Sequence, residues 1–93
     1  MDERIYEHPG KCYLHVWASF DEAGQVKPLA FEWEGRRVAV DRVLDVRPGA
    51  SRKAGGSGMR YLCRVRSHRI SLYLEEQRWF VEREEIERLA GGG

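Results

Sequence analysis

The chain is poor in the residues that usually advertise a chemistry. Its 93 residues include two cysteines, three histidines and three prolines, with a net charge of +1. Each shortage removes a class of function. Cys12 and Cys63 are too few for a disulfide framework, and both fall on expected inward faces, where a thiol behaves as a small hydrophobe. A Cys12–Cys63 disulfide is the lesser reading. Cys12 and His15 stand three apart on an expected strand and so point to opposite faces, and His68 belongs to a turn, so no zinc set is expected. His8, before Pro9-Gly10, reads as a turn residue. No histidine or carboxylate pair has a spacing that a mechanism needs, so neither an enzyme nor a cofactor is expected. No apolar run approaches the roughly 20 residues that span a bilayer. Met1-Asp2-Glu3 lacks the basic and apolar opening of a signal peptide, so a cytoplasmic protein without a membrane partner is expected.

What is present is alternation. Between Arg60 and Glu82 apolar residues recur at every second position, interrupted by two short segments of turn-forming residues. Taking Ser67-His68 as a two-residue loop sets Val65 opposite Ile70, Cys63 opposite Leu72 and Tyr61 opposite Leu74, with Arg60 facing Glu75 and Leu62 facing Tyr73. Continuing through a second turn at Glu76-Gln77 pairs Leu74 with Trp79, Tyr73 with Phe80 and Leu72 with Val81. A slip by one residue would move the apolar set to the solvent side, so the pattern opposes it.

A third hairpin turns at Glu34-Gly35, where Gly35 takes positive φ readily. It sets Leu29 against Val40, Phe31 against Val38 and Glu32 against Arg37. Upstream, the stretch Cys12 to Phe20 alternates with apolar mass on both faces, as a central strand would. The expected fold is all-β: about six antiparallel strands in a meander, curled as a small partly open barrel or strongly bent sheet, with a short C-terminal helix. The expected core is Leu14, Val16, Leu29, Phe31, Val38, Val40, Val65, Leu72, Leu74, Trp79 and Val81.

The length suits a single domain with one core, and there is no internal repeat. Residues 1–10 read as an N-terminal arm, 11–82 as the β domain and 83–93 as the helix and a frayed tail. Within the β domain, 47–58 is a glycine-rich loop without apolar periodicity. Its Arg52 and Lys53 and its backbone N–H groups suit an anion, or it is simply a connector. It is not a P-loop, because Lys53 precedes the glycines and no helix follows. Gly55 to Met59 lacks the final glycine of a nucleophile elbow.

Charge is unevenly spread. Arg36 to Arg69 is strongly basic, with only Asp41 and Asp45 as acids, and both flanking thirds are acidic. Neighbouring strands of opposite sign would cancel this, as Glu32 with Arg37 and Glu75 with Arg60 suggest. The other outcome is a binding face. Leu62, Tyr73 and Phe80 form the expected row across the last three strands, flanked by Arg60, Arg64 and Arg78. Rings interleaved with arginines suit single-stranded nucleic acid, where bases stack and guanidinium groups hold phosphates. The candidate nucleic-acid residues are thus Arg60, Arg64, Tyr73, Arg78 and Phe80, with Arg52 and Lys53 on the loop. Alternatively, a helix over Glu84 to Ala90 covers that row with Ile86 and Leu89, or the row meets a partner protein or a second copy in a homodimer.

Pro28 to Val38, then Val43-Leu44-Asp45, Arg60-Tyr61, Arg64-Val65 and Arg78-Trp79-Phe80-Val81-Glu82, resemble a small bacterial domain of unknown function. Some of its members resemble C-terminal appendages of Y-family-polymerase-like proteins. The resemblance implies association with nucleic acid. It carries over no site residue, because the matching positions are hairpin and core residues.

Overall fold

The computed structural model describes residues 10–49 and 58–91. The strands are β1 (Lys11–Leu14), β2 (Val16–Phe20), β3 (Val26–Trp33), β4 (Arg36–Ala39), β5 (Arg42–Pro48), β6 (Met59–Val65), β7 (His68–Glu75) and β8 (Arg78–Glu82), followed by helix α1 (Arg83–Gly91). They form an antiparallel five-stranded sheet, ordered β1-β8-β7-β6-β5, and an antiparallel three-stranded sheet, ordered β2-β3-β4. The sheets do not close into a barrel. The expected mostly β class and the C-terminal helix are both present.

Three two-residue turns build the hairpins. Glu34 and Gly35 both take positive φ, 53° and 76°, and Arg66 and Glu76 do so at 58° and 57°. Positive φ at the start of the loop matches the right-handed twist of the flanking strands. The hairpin at Glu34-Gly35 has the expected register, with Phe31 opposite Val38 and Glu32 opposite Arg37. The β7–β8 register is also the expected one, with Leu72–Val81, Tyr73–Phe80 and Leu74–Trp79.

The β6–β7 hairpin differs. Its turn is Arg66-Ser67, so Val65 pairs with His68, Cys63 with Ile70, Tyr61 with Leu72 and Arg60 with Tyr73. This register lies two residues from the expected one, which leaves every side chain on its expected face. Alternation resists a slip of one residue but is blind to a slip of two. Tertiary structure supplies what alternation lacks: the Asp41 carboxylate accepts the Arg66 N–H at 2.9 Å and ties down the turn.

The Cys12 to Phe20 stretch is not a central strand. It breaks at His15 into two edge strands, one in each sheet. The His15 carbonyl accepts the Glu32 N–H at 2.9 Å, which anchors the crossing from one sheet to the other. Leu29, expected in the core, is 43% exposed. On β2, Trp17 pairs with Ala30 and Ala18 with Pro28, so Leu29 is the extra residue of a β-bulge. Pro28, next to the bulge, is buried instead.

The core lies between the sheets. Phe31 and Val38 meet Tyr61, Cys63, Val65, Ile70, Leu72 and Val81, and Ile86 and Leu89 of α1 join the same cluster. Leu14, Val16, Val40, Leu74 and Trp79 pack around it, only partly buried. The helix therefore does not cover a row of Leu62, Tyr73 and Phe80. It adds to the aliphatic side, and its acidic first turn and Arg88 in the last turn suit the helix dipole. Strand pairing of β7 with β8 begins at Leu72–Val81. The next N–H outward, that of Ser71, donates to Glu85 Oε1 of α1 at 2.6 Å, so the helix satisfies an edge group that the shorter β8 leaves.

Candidate nucleic-acid interface

The outer face of the five-stranded sheet carries the residues that alternate with the core set. Register aligns them into rows. One row runs Tyr13, Phe80, Tyr73, Arg60 and Arg47 across all five strands. Further along, Asp45, Leu62 and Ser71 face one another, and beyond them Arg42, Arg64 and Arg69. Leu62 thus opposes Ser71, not Tyr73. Arg60 opposes Tyr73, not Glu75, which pairs with Arg78.

At the first of these rows the aromatic rings are already occupied. Tyr73 and Phe80 stack at 5.0 Å with planes 13° apart, and Tyr13 meets Phe80 edge-on at 5.9 Å. The Arg78 guanidinium carbon lies 3.5 Å from the Tyr13 ring centre. Lys11 extends over Phe80, its Nζ 4.7 Å from the ring centre and 3.0 Å from Glu75 Oε1. Cations over ring faces are attracted by the ring quadrupole, and the apolar stem of Lys11 adds cover. Tyr73 is 6% exposed and Phe80 1%. Of the expected site residues, Arg78, Tyr73 and Phe80 are brought together here, but in contacts that leave Phe80 covered and Tyr73 almost so.

The far row is different. Arg42, Arg64 and Arg69 are exposed and directly opposed on three adjacent strands. Among the described residues none of them has a carboxylate partner. Like charges directly opposite one another are destabilising, so the local charge is not cancelled across the sheet. Arg64 was expected at the site; Arg42 and Arg69 were not. The signal that finds them is the true register of β6 with β7, together with the recognition of β5, whose alternation is broken by a bulge between Val43 and Asp45.

Between these two ends lies a cleft of about 500 Å³, lined by Arg47, Arg60, Ser71, Tyr73, Glu82 and Glu85 among others. Arg60 Nε donates to Ser71 Oγ at 3.0 Å, which holds the guanidinium at the cleft wall. Burial raises the Glu85 carboxyl above the ordinary carboxylate range, opposed first by the hydrogen bond from Ser71. Burial also raises the Tyr73 phenol, with Glu82 adding to the rise. Arg47 extends outward, its Nε 2.5 Å from Asp45 Oδ2. Arg52 and Lys53 lie outside the described residues.

Cys63 is buried, and its thiol is pushed up to about 12 by desolvation and then by Glu85, far from the thiolate a nucleophile or ligand requires. Among the described residues no three His, Cys, Asp or Glu groups cluster as metal ligands. None of the described helices is long and apolar enough to cross a membrane. A scan against protein-family models and searches of curated proteins and of solved structures return no match, so the family resemblance rests on the residues quoted for it alone.

Proposed function

We propose that this small β domain is a binding module for a polyanionic chain, single-stranded nucleic acid, held by phosphate contacts on the outer face of the five-stranded sheet. The observation that carries the reading is the unpaired ladder of Arg42, Arg64 and Arg69. Three facing guanidinium groups with no carboxylate ion pair among the described residues repel one another in the free protein and gain most from an anion that bridges them. Arg60 extends the positive track toward the cleft, where Arg47 beside it is paired with Asp45. Guanidinium forks bind phosphate oxygens in pairs, which makes arginine well suited to this role.

Phosphate contacts make affinity fall with salt and give little sequence preference. In this reading the aromatic row serves as support: Tyr73 and Phe80 fix the sheet beneath Arg60 and do not stack on bases. The test is fluorescence anisotropy of a labelled short single strand at low ionic strength, titrated with wild type and with Arg64→Glu. Binding that weakens at least tenfold in the variant is expected from the loss of one contact and the gain of one repulsion. Equal affinity of the two proteins would remove the ladder from the interface.

A second reading places a protein partner elsewhere. Phe20 is 73% exposed and Val46 45%. Val46 lines a smaller cleft of about 230 Å³ between the two sheets, opposite Val26 and Ser19. Exposed apolar groups beside a groove suit a protein contact, including a second copy of this chain. Concentration-dependent mass that disappears in Phe20→Lys would favour this reading over the first.

A further inference from the structure

We infer that the cleft at the end of the arginine track is a nucleobase subsite that selects guanine in a bound single strand. The inference rests on the proposed binding of nucleic acid by the ladder and goes further, to which nucleotide the face prefers. The cleft lies on the same face as the ladder. Arg60 and Arg64 stand four residues apart on β6, about 13 Å, so a chain that leaves the ladder at Arg64 and turns along β6 reaches the cleft mouth at Arg60 within roughly two or three nucleotides. Its volume of about 500 Å³ is in the range of small-ligand sites.

The lining divides into two chemistries. Arg60 supplies positive charge on one side, beside the Arg47–Asp45 ion pair, suited to the sugar-phosphate of the entering nucleotide. Glu85 and Glu82 supply acceptors on the other. Glu85 is fixed in place, because its Oε1 accepts the Ser71 N–H at 2.6 Å, while Oε2 has no partner among the described residues. Once ionised, at pH above its raised value, the Glu85 carboxylate accepts only, at about four lone-pair positions, and retains capacity for two further donors.

Guanine presents two adjacent donors, N1–H and N2–H, on its Watson–Crick edge. Cytosine and adenine set a single amino donor beside a ring acceptor, and thymine or uracil sets one N–H between two carbonyls. A fixed carboxylate therefore accepts two hydrogen bonds from guanine and faces at least one repelling lone pair from each of the others. The Arg60 and Arg47 guanidinium planes offer stacking surfaces of the kind used for splayed bases. The aromatic rings are not needed for this step, which agrees with their being covered.

The test uses the full chain and labelled thymidine oligonucleotides of one length. One carries a single central dG, one carries inosine at that position, which lacks the 2-amino group, and one carries thymidine throughout. Affinity for the dG strand about tenfold above the other two is expected, the discrimination of one good bidentate contact. Glu85→Gln keeps an oxygen for the Ser71 N–H but replaces an acceptor by a donor, so it should erase the preference and leave salt-dependent binding of all three strands. Circular dichroism and thermal melting check that the variant is folded. Equal, salt-dependent binding of all three strands by wild type overturns the guanine subsite and leaves the ladder standing. No binding of any strand at low salt overturns both.

Discussion

The two ends of one sheet face carry similar residues and treat them in opposite ways. At the β1–β8 side, Lys11 and Arg78 lie over Phe80 and Tyr13, and Glu75 balances Lys11. Cations and rings there satisfy one another. At the β5–β6–β7 side, Arg42, Arg64 and Arg69 oppose one another across three strands, and among the described residues none forms an ion pair with a carboxylate. The difference teaches that a basic and aromatic composition does not identify a binding surface. What identifies it is charge left uncompensated once register has assigned every neighbour.

The largest expected effect belongs to the covered end. Phe80→Ala removes a ring stacked on Tyr73 and crossed by Tyr13, and should lower unfolding stability by about 3–5 kcal/mol in a denaturant titration. A loss below about 1 kcal/mol would mean that this end is not packed as described. Next is Gly58, beside the cleft: its carbonyl accepts the Gly49 N–H at the cleft rim. Its φ of +140° and the approach of the Leu74 carbonyl leave no room for a Cβ. Gly58→Ala should therefore cost roughly 1–3 kcal/mol, read as a lowered melting temperature.

The uncovered end should respond with the opposite sign. Arg64→Ala relieves two cross-strand repulsions and buries nothing new, so stability should rise by about 0.2–1 kcal/mol while strand binding weakens. A variant that melts earlier than wild type would show that Arg64 has a structural partner and that the two ends are alike after all.

The smallest effect concerns Glu85, between the ends. Its carboxyl is raised by burial, with Glu82 adding to the rise and the Ser71 N–H, Arg88 and Arg60 opposing it. A raised folded pKa means that the native state holds the proton more tightly than the unfolded chain does. Stability from this group is thus full below the ordinary carboxylate pKa and declines as pH rises through the raised value. Wild type minus Glu85→Gln should show that decline in unfolding midpoints across this window. A flat difference would contradict the burial of Glu85 in the cleft wall.

Much of the fold was legible in the sequence, and the reason is visible in particular residues. The β7–β8 register followed from alternation on both sides of Glu76-Gln77, and the β3–β4 hairpin from Gly35 with the Glu32–Arg37 pair. The β6–β7 register did not follow, because Cys63 opposite Ile70 and Cys63 opposite Leu72 satisfy the same inward pattern. The contacts of Asp41 with Arg66 and Arg64, distant in sequence, belong to the observed register. The sheet crossing at His15 and the bulges at Leu29 and Leu44 were illegible for a related reason: each depends on which neighbour a strand meets. The α1 residues were evident from Ile86 and Leu89, but their docking side was not.

The candidate site was legible in part. Arg60 and Arg64 do lie on one outward face, as alternation required. Tyr73 and Phe80 share it too, yet they stack on each other and Lys11, far upstream, lies over Phe80. Arg42 and Arg69 emerged only from pairing partners, since nothing in their local sequence distinguishes them from other surface arginines.

The central claim is tested most directly by the salt dependence of single-strand affinity for wild type and Arg64→Ala side by side. If the ladder holds phosphates, log K should fall linearly with log salt, and the variant's slope should be shallower by about 0.7, the value of one phosphate contact on a single strand. Superimposable slopes, or affinity in wild type that does not change with salt, would contradict it.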